Sequence, residues 1–439
     1  MPSINEKILD IPIFYTKELT EGIKDDATAV NLARGDSEFQ TPRPVIDYLC
    51  RILPDAGEGL DGFNTLPGKW THYEKEKGSR RLREAIARKY RRESDLKVDP
   101  DSILITQGGM NAIFTSFIAV TNPGDEILIP DPCYIAYDPI SNHLLSGRTG
   151  KRIRPKEENG FILTVEELER ARTKKTKALI LTSPLNPAGT LYGRDPLKYI
   201  MEWGAENDIF IIHDENHEKE IYDGNRHYPI RLYDTGGEHS ILLNSFSRIG
   251  MGGWRLGWMV APKKVLKAAT LAHSFINMTC NTFVQEAGAY TLDNYEKLGF
   301  DDIFRKYQEK RDLLVPALNS IPGFRCAVPK STCYAFPNIR KFYDSHRDAI
   351  LSSVEEALKR KIKECPEKKV SCDRDLKLSR ESVSFAMHKY LLFKARVGVI
   401  PGIAYGPASD DHIRFSFSVK RPALEEGIRR LHECCRSAV

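Results

Sequence analysis

Five short apolar runs, each closed by a polar or glycine-bearing turn, constrain the fold of this 439-residue chain more than any other feature. They are SILIT (Ser102–Thr106), GDEILIP (Gly124–Pro130), ALILT (Ala178–Thr182), IFIIHD (Ile209–Asp214) and HSILLN (His239–Asn244), and a sixth run, WRLGWMV (Trp254–Val260), follows closely. Each is of strand length, and continuous apolarity marks strands covered on both faces. Segments of helical period accompany them: GSRRLREAIARKY (Gly78–Tyr90) precedes the first run, and EELERA (Glu166–Ala171) lies between two of them. The pattern predicts an α/β protein with a mostly parallel sheet and helices between its strands. Ligands in such sheets sit at the carboxyl ends of the strands, which directs attention to the turns that close these runs.

Composition narrows the class. Hydrophobic residues make up 41% and charged residues 28%, as in a globular domain with a large core. The net charge of +5 is dispersed over mixed signs, so no nucleic-acid footprint is expected. No apolar run reaches membrane-spanning length, and MPSINEKILDIPIF lacks the apolar stretch of a signal peptide. The nine cysteines are odd in number and irregularly spaced, so free thiols, a reducing cytoplasmic setting and no metal site are expected.

Local signals fill in the rest. Residues 1–30 read as an arm, Pro42–Leu49 as a helix start, and Asp55–Asn64 as a loop. SILIT runs into QGGMNAIF (Gln107–Phe114), a strand–glycine–helix layout suited to an anion, with Gly108, Gly109 and Met110 as backbone donors. Phe161–Val165 reads as an edge element, followed by a helix that Thr164 caps with Glu167 as its capping-box partner. Gly323–Cys326 and Ser331–Asn338 read as strands, and Ser353–Glu364 as a charged helix. The polar stretch Pro366–Arg380 reads as a surface insertion.

The segment SFSRIGMGGWRLG, from Ser245 to Gly257, resembles the cofactor-anchoring motif of the pyridoxal-phosphate-dependent aminotransferase class I/II family, the aspartate aminotransferase-like enzymes of fold-type I. That pattern is Ser-x-Ser-Lys, four residues, then Gly-x-Arg-x-Gly. Other segments resemble the same family in the same order, across residues 28–425: VNLARGDSEF (Val30–Phe39), Tyr73 with Gly78 and Leu82–Arg83, DPCYIAY (Asp131–Tyr137), SPLNPAGT (Ser183–Thr190), DENH (Asp214–His217) and HIRFSF (His412–Phe417). The resemblance implies a fold-type I PLP-dependent transferase fold with a large mostly parallel sheet and a smaller α+β domain. It divides the chain into residues 1–55 (arm and part of the small domain), 56–305 (large cofactor-binding domain) and 306–439 (small domain).

The resemblance also implies roles. Pyridoxal 5'-phosphate or pyridoxamine 5'-phosphate would be the cofactor. Its phosphate would meet Gly108, Gly109, Met110, Ser245, Ser247 and Arg255. Tyr134 would stack on its ring, Asn186 would bond the ring oxygen, and Asp214 would pair with the ring nitrogen. Gly35 and Arg414 would meet an amino acid or keto acid, Arg414 as the clamp on the α-carboxylate. Arg34 and Asp36 are either specificity residues or a solvent-facing pair. Tyr73 would reach the phosphate of a neighbouring subunit, implying a homodimer.

Two positions depart from the pattern. Arg248 stands where the family has its imine-forming lysine, and His217 stands where it usually has a tyrosine. Arginine stays protonated and delocalised, so Arg248 is no substitute nucleophile, although it can hold an anion. His217 can donate a hydrogen bond or act as a base near neutral pH. Three readings stay open: an enzyme acting through an imine with adapted chemistry, in which Arg248, His217 and Asp214 carry the reaction; a non-catalytic cofactor- or metabolite-binding homologue; or an ordinary aminotransferase carrying an inactivating lysine-to-arginine change.

Overall fold

The computed structural model describes residues 4–15, 17–20, 23, 28–53, 70 and 72–437. A seven-stranded sheet forms the centre. Its strands are β1 (Ile103–Thr106), β2 (Glu126–Pro130), β3 (Thr149–Ile153), β4 (Thr176–Thr182), β5 (Phe210–Asp214), β6 (Ser240–Ser245) and β7 (Gly257–Val260), in the spatial order β1-β7-β6-β5-β4-β2-β3. Only β7 is antiparallel to its neighbours, so the sheet is mostly parallel, as the apolar runs predict.

The uninterrupted apolarity of the strands has a direct cause. Successive residues point to opposite faces, and both faces are covered. On β4, Leu179 and Leu181 enter one hydrophobic cluster, while Ala178 and Ile180 enter another. The second cluster packs Ile113 and Phe117 of helix α1 (Gly108–Val120) and Leu266 of helix α2 (Lys263–Asn277) against the sheet. Burying each such side chain contributes roughly 1.5–3 kcal/mol, so the sheet needs apolar residues at every position.

Register aligns the strand ends. Thr182 pairs with Asp214 across β4 and β5, and Gly257 lies opposite both Ser245 on β6 and Thr106 on β1. A Cβ at Gly257 would stand 2.8 Å from the Gly108 carbonyl carbon and 2.8 Å from the Asn244 oxygen. Glycine at this point lets the start of α1 close onto the sheet.

A second, three-stranded antiparallel sheet joins β8 (Tyr334–Ala335), β9 (Ile400–Pro401) and β10 (Ile413–Ser416), with β10 in the middle. Helix α3 (Phe300–Asn319) runs before it, the helix Val383–Tyr390 packs against β9 and β10, and α4 (Arg340–Glu364) and α5 (Lys369–Glu381) pack on that helix.

Several local expectations change. Phe161–Val165 forms no strand; the capping box begins directly at Thr164, whose Oγ1 accepts from the Glu167 amide at 3.3 Å while its own amide donates to Glu167 Oε2 at 3.0 Å. Strand β3, TGKRI, carries no apolar signal in the sequence, because its charged side chains are half-exposed at the sheet edge. Gly323–Cys326 contributes only the bridge Arg325–Asn338, and Ser331–Asn338 is strand only at Tyr334–Ala335. The charged helix begins at Arg340 rather than Ser353, with a kink at His346. The polar stretch after it is helical: α5 folds back against α4 and buries Cys372 and Ser379. The anticipated loop at Asp55–Asn64 lies outside the described residues.

Candidate functional site

The turns that leave β1, β4, β5 and β6 meet in a pocket of about 400 Å³ at the carboxyl edge of the sheet. One end is built for an anion. Gly109 and Met110, in the first turn of α1, line it together with Ser245, Ser247 and Arg255. Gly108 adopts φ +79°, and a Cβ there would lie 2.6 Å from Arg255 Nη2. The missing side chain lets the guanidinium lie against the helix start, where backbone N–H groups have no intrahelical partner. Arg255 Nη1 donates to the Gly252 carbonyl at 3.0 Å, which fixes its direction. Ser245 Oγ donates to Asn216 Oδ1 at 2.5 Å and accepts from the Ser247 amide at 3.1 Å.

The floor carries a buried carboxylate. Asp214 Oδ2 accepts from the Tyr137 hydroxyl at 2.6 Å, and Oδ1 accepts from the Asn216 amide at 3.0 Å. Burial raises the Asp214 pKa above the ordinary carboxylate value, although those two hydrogen bonds oppose the rise. The next residue, Glu215, is directed elsewhere: it accepts from Tyr90 at 2.8 Å and lies 3.0 Å from His227 Nε2. Tyr134 lines the pocket and packs edge-on against Tyr137, with ring centroids 5.7 Å apart. Asn186, from the turn after β4, also lines it.

The opposite wall holds the two departures. Arg248 Nη1 donates to the Gly35 carbonyl at 2.5 Å and lies 3.3 Å from the Tyr334 hydroxyl. Its Nε is buried and unpaired among the described residues. His217 Nδ1 lies 2.5 Å from Glu220 Oε2, and both side chains are buried. Burial, with Arg248 as the next cause, holds the His217 pKa below the usual imidazole value, which favours the neutral ring. Burial lowers and neighbouring Tyr334 and Glu220 raise the Arg248 pKa, which stands above its ordinary value; this guanidinium stays charged. No lysine is among the described residues that line the pocket.

Arg414, on β10, is only 6% exposed. Its Nη1 donates to Asn186 Oδ1 at 3.2 Å and its Nη2 to the Ala33 carbonyl at 2.9 Å, while Nε has no partner among the described residues. The guanidinium carbon lies 4.0 Å from the centroid of the Tyr334 ring. A Cβ at Gly35 would stand 3.6 Å from the Tyr334 hydroxyl and 3.8 Å from Arg414 Nη2, so glycine leaves this corner open.

The structure thus brings Gly109, Met110, Tyr134, Asn186, Asp214, His217, Ser245, Ser247, Arg248 and Arg255 to one pocket, with Gly108, Gly35 and Arg414 against it. Tyr73 is not brought in; it is 80% exposed. Of the Arg34 and Asp36 pair, which lie 3.6 Å apart, Asp36 lines the pocket. Tyr334, Asn216 and Glu220 were not singled out from the sequence. Asn216 had a signal, its place within the polar run that ends β5; Tyr334 and Glu220 had none beyond their types.

The family model for aminotransferase class I and II matches residues 28–431. An aspartate aminotransferase of Pyrococcus abyssi is 31% identical over 424 residues, 95% of this chain and 94% of its own. An aromatic-amino-acid aminotransferase of Thermococcus litoralis is 31% identical over 421 residues, covering 95% and 93%. Among solved structures, an aromatic aminotransferase from Pyrococcus horikoshii superposes with a TM-score of 0.77 at 29% identity, covering 96% of this chain and 100% of its own. The chain belongs to the aminotransferase class I and II family.

The cofactor of that family is pyridoxal or pyridoxamine 5'-phosphate, and the residues present fit it. A cationic ring nitrogen would relieve the buried Asp214 carboxylate. The Gly108 cradle with Arg255, Ser245 and Ser247 suits a phosphate, and Tyr134 offers an aromatic face. Arg248 stands in the lining, and no lysine that could hold an aldehyde covalently is among the described lining residues.

Proposed function

We propose that this chain binds pyridoxal 5'-phosphate or its amine form without a covalent lysine link, and acts on an amino acid or keto acid with His217 moving the proton. The observation that carries this reading is a buried His217 lining the same pocket as Asp214 and Arg248, with its Nδ1 held 2.5 Å from Glu220 Oε2. The cofactor, when bound, supplies a carbonyl or amine for exchange with the substrate and a ring that accepts electrons. Arg255, the serine hydroxyls and the start of α1 hold the phosphate. Asp214 keeps a negative charge in the floor, and Tyr137 and Asn216 fix its direction. Arg414 offers its unpaired Nε to the substrate carboxylate. Arg248 holds the Gly35 backbone and keeps a positive charge on the reacting side.

The same reading includes a homodimer, in which the exposed Tyr73 serves the neighbouring subunit, the division at residues 55 and 305, and a cytoplasmic setting that suits nine free cysteines. Among the described residues no helix is long and apolar enough to cross a membrane.

A second reading, a cofactor- or metabolite-binding protein without turnover, rests on the absence of lysine from the described lining residues. Absorption spectra of the protein with pyridoxal phosphate, taken with and without a panel of amino acids and followed by product analysis, separate the two. Turnover lost in His217→Asn supports the first; cofactor binding with no amino-acid-dependent spectral change and no product supports the second.

A further inference from the structure

We infer that Glu220 is a positioning residue for His217: its carboxylate holds the Nδ1 proton and leaves the Nε2 lone pair as the proton-accepting atom of the pocket. This rests on the role proposed above for His217. The two groups lie 2.5 Å apart, at 1% exposure for Glu220 and 3% for His217.

Backbone contacts fix the pair from both sides. The Glu220 amide donates to the His217 carbonyl at 2.9 Å, closing a turn, and the Thr332 amide donates to the Glu220 carbonyl at 2.8 Å. The Tyr334 ring stands edge-on to the imidazole, with centroids 5.6 Å apart at 70°. The carboxylate is therefore not free to leave the ring. A carboxylate only accepts, and a neutral imidazole has one N–H, so the short contact places that hydrogen on Nδ1. The tautomer is set by the partner of the other nitrogen.

Charge supports the same assignment. The ionisable groups facing His217 are Glu220 from its own turn, Asp214 from β5, Arg248 from the segment after β6, and Tyr334 from β8. Arg248 disfavours a second proton on the ring, while Glu220 and Asp214 favour it. Glu220 also raises the Arg248 pKa, so one carboxylate offsets both the fixed guanidinium and the transient imidazolium. When Nε2 takes a proton, the charge gained sits against the Glu220 carboxylate, which keeps the Nδ1 hydrogen. A lone neutral histidine beside Arg248 would lack that compensation.

The test uses the full chain loaded with pyridoxal phosphate and labelled with nitrogen-15 at histidine, the His217 signal being assigned by its loss in His217→Asn. The expected result is the Nδ1–H tautomer in the parent protein and in Glu220→Asp, and its loss in Glu220→Ala. Glu220→Gln keeps an acceptor but loses the charge, and should lower the His217 titration midpoint by about one pH unit. Exchange of the α-hydrogen of L-aspartate and L-phenylalanine with solvent deuterium should fall about 100-fold in Glu220→Ala and recover in Glu220→Asp. An Nε2–H tautomer in the parent, or a tautomer and midpoint unchanged in every Glu220 variant, overturns the assignment. If Glu220→Ala does not fold, the aspartate and glutamine variants decide it. Absence of exchange in the parent protein defeats the proposed function instead, and the tautomer still decides the role of Glu220.

Discussion

Arg248 and Gly35, 213 positions apart in the chain, are joined by a 2.5 Å hydrogen bond from guanidinium Nη1 to the glycine carbonyl. Arg248 is thereby tied to the backbone of the segment that approaches Arg414. Its charge also bears on His217. Arg248→Ala should cost about 1 kcal/mol of stability through the lost bond. Because Arg248 lowers the His217 pKa, its removal should raise the His217 titration midpoint, opposite in sign to Glu220→Gln. Nitrogen-15 titration of the two variants checks the signs; a shared direction contradicts the charge arrangement.

Asp214 gives a prediction in which stability and binding part company. Its folded pKa is raised, so the folded apoprotein holds the proton more tightly than the unfolded chain. The stability linked to this group is present below the unfolded carboxylate pKa and is lost as pH rises through the folded value. Asp214→Asn removes that loss. Apoprotein melting at pH 7 should therefore equal or exceed the parent's, and the gain should vanish near pH 4. Pyridoxal phosphate affinity should fall by roughly 2 kcal/mol or more, over tenfold. Equal affinity of the two proteins would rule out Asp214 as the ring partner.

Arg414 has two nitrogens committed, to Asn186 and Ala33, and its Nε has no partner among the described residues. Arg414→Lys keeps the charge but loses the planar fork and the stacking on Tyr334. Binding of a carboxylate such as maleate to the cofactor-loaded protein should weaken at least about tenfold, while cofactor affinity stays within about twofold. Calorimetry with maleate measures it; unaltered maleate affinity would remove Arg414 from the substrate site.

The capping box at Thr164 tests local structure outside the pocket lining. Thr164→Ala removes the acceptor for the Glu167 amide and should cost about 1 kcal/mol in denaturant unfolding, with cofactor affinity unchanged.

The sequence was most informative where burial imposed a simple rule. Ile180 and Leu181 must both be apolar because β4 is covered on both faces, and that rule marks the inner strands. It fails for β3, whose Lys151 and Arg152 are half-exposed at the sheet edge. Asp214, Asn186 and Arg255, which line the pocket, each stand in a motif with its own local spacing, as does Arg414 beside them. Tyr334 was not legible as a site residue. Its contacts with Gly35, Arg248 and Arg414 bridge segments far apart in the chain, and no spacing records them. Glu220 was hidden for a different reason: a glutamate three residues after a histidine in a charged run looks like surface until folding buries both.

In the proposed function this pocket holds a pyridoxal cofactor with an arginine in place of the covalent anchor. Borohydride reduction of the pyridoxal-phosphate complex, followed by peptide mass mapping, tests it most directly in the parent and in Arg248→Lys. The account predicts reversible binding and no adduct at position 248 in the parent, and a cofactor adduct at that position in the variant. A parent protein that binds no pyridoxal phosphate, or a variant that binds it without an adduct at 248, would contradict the account.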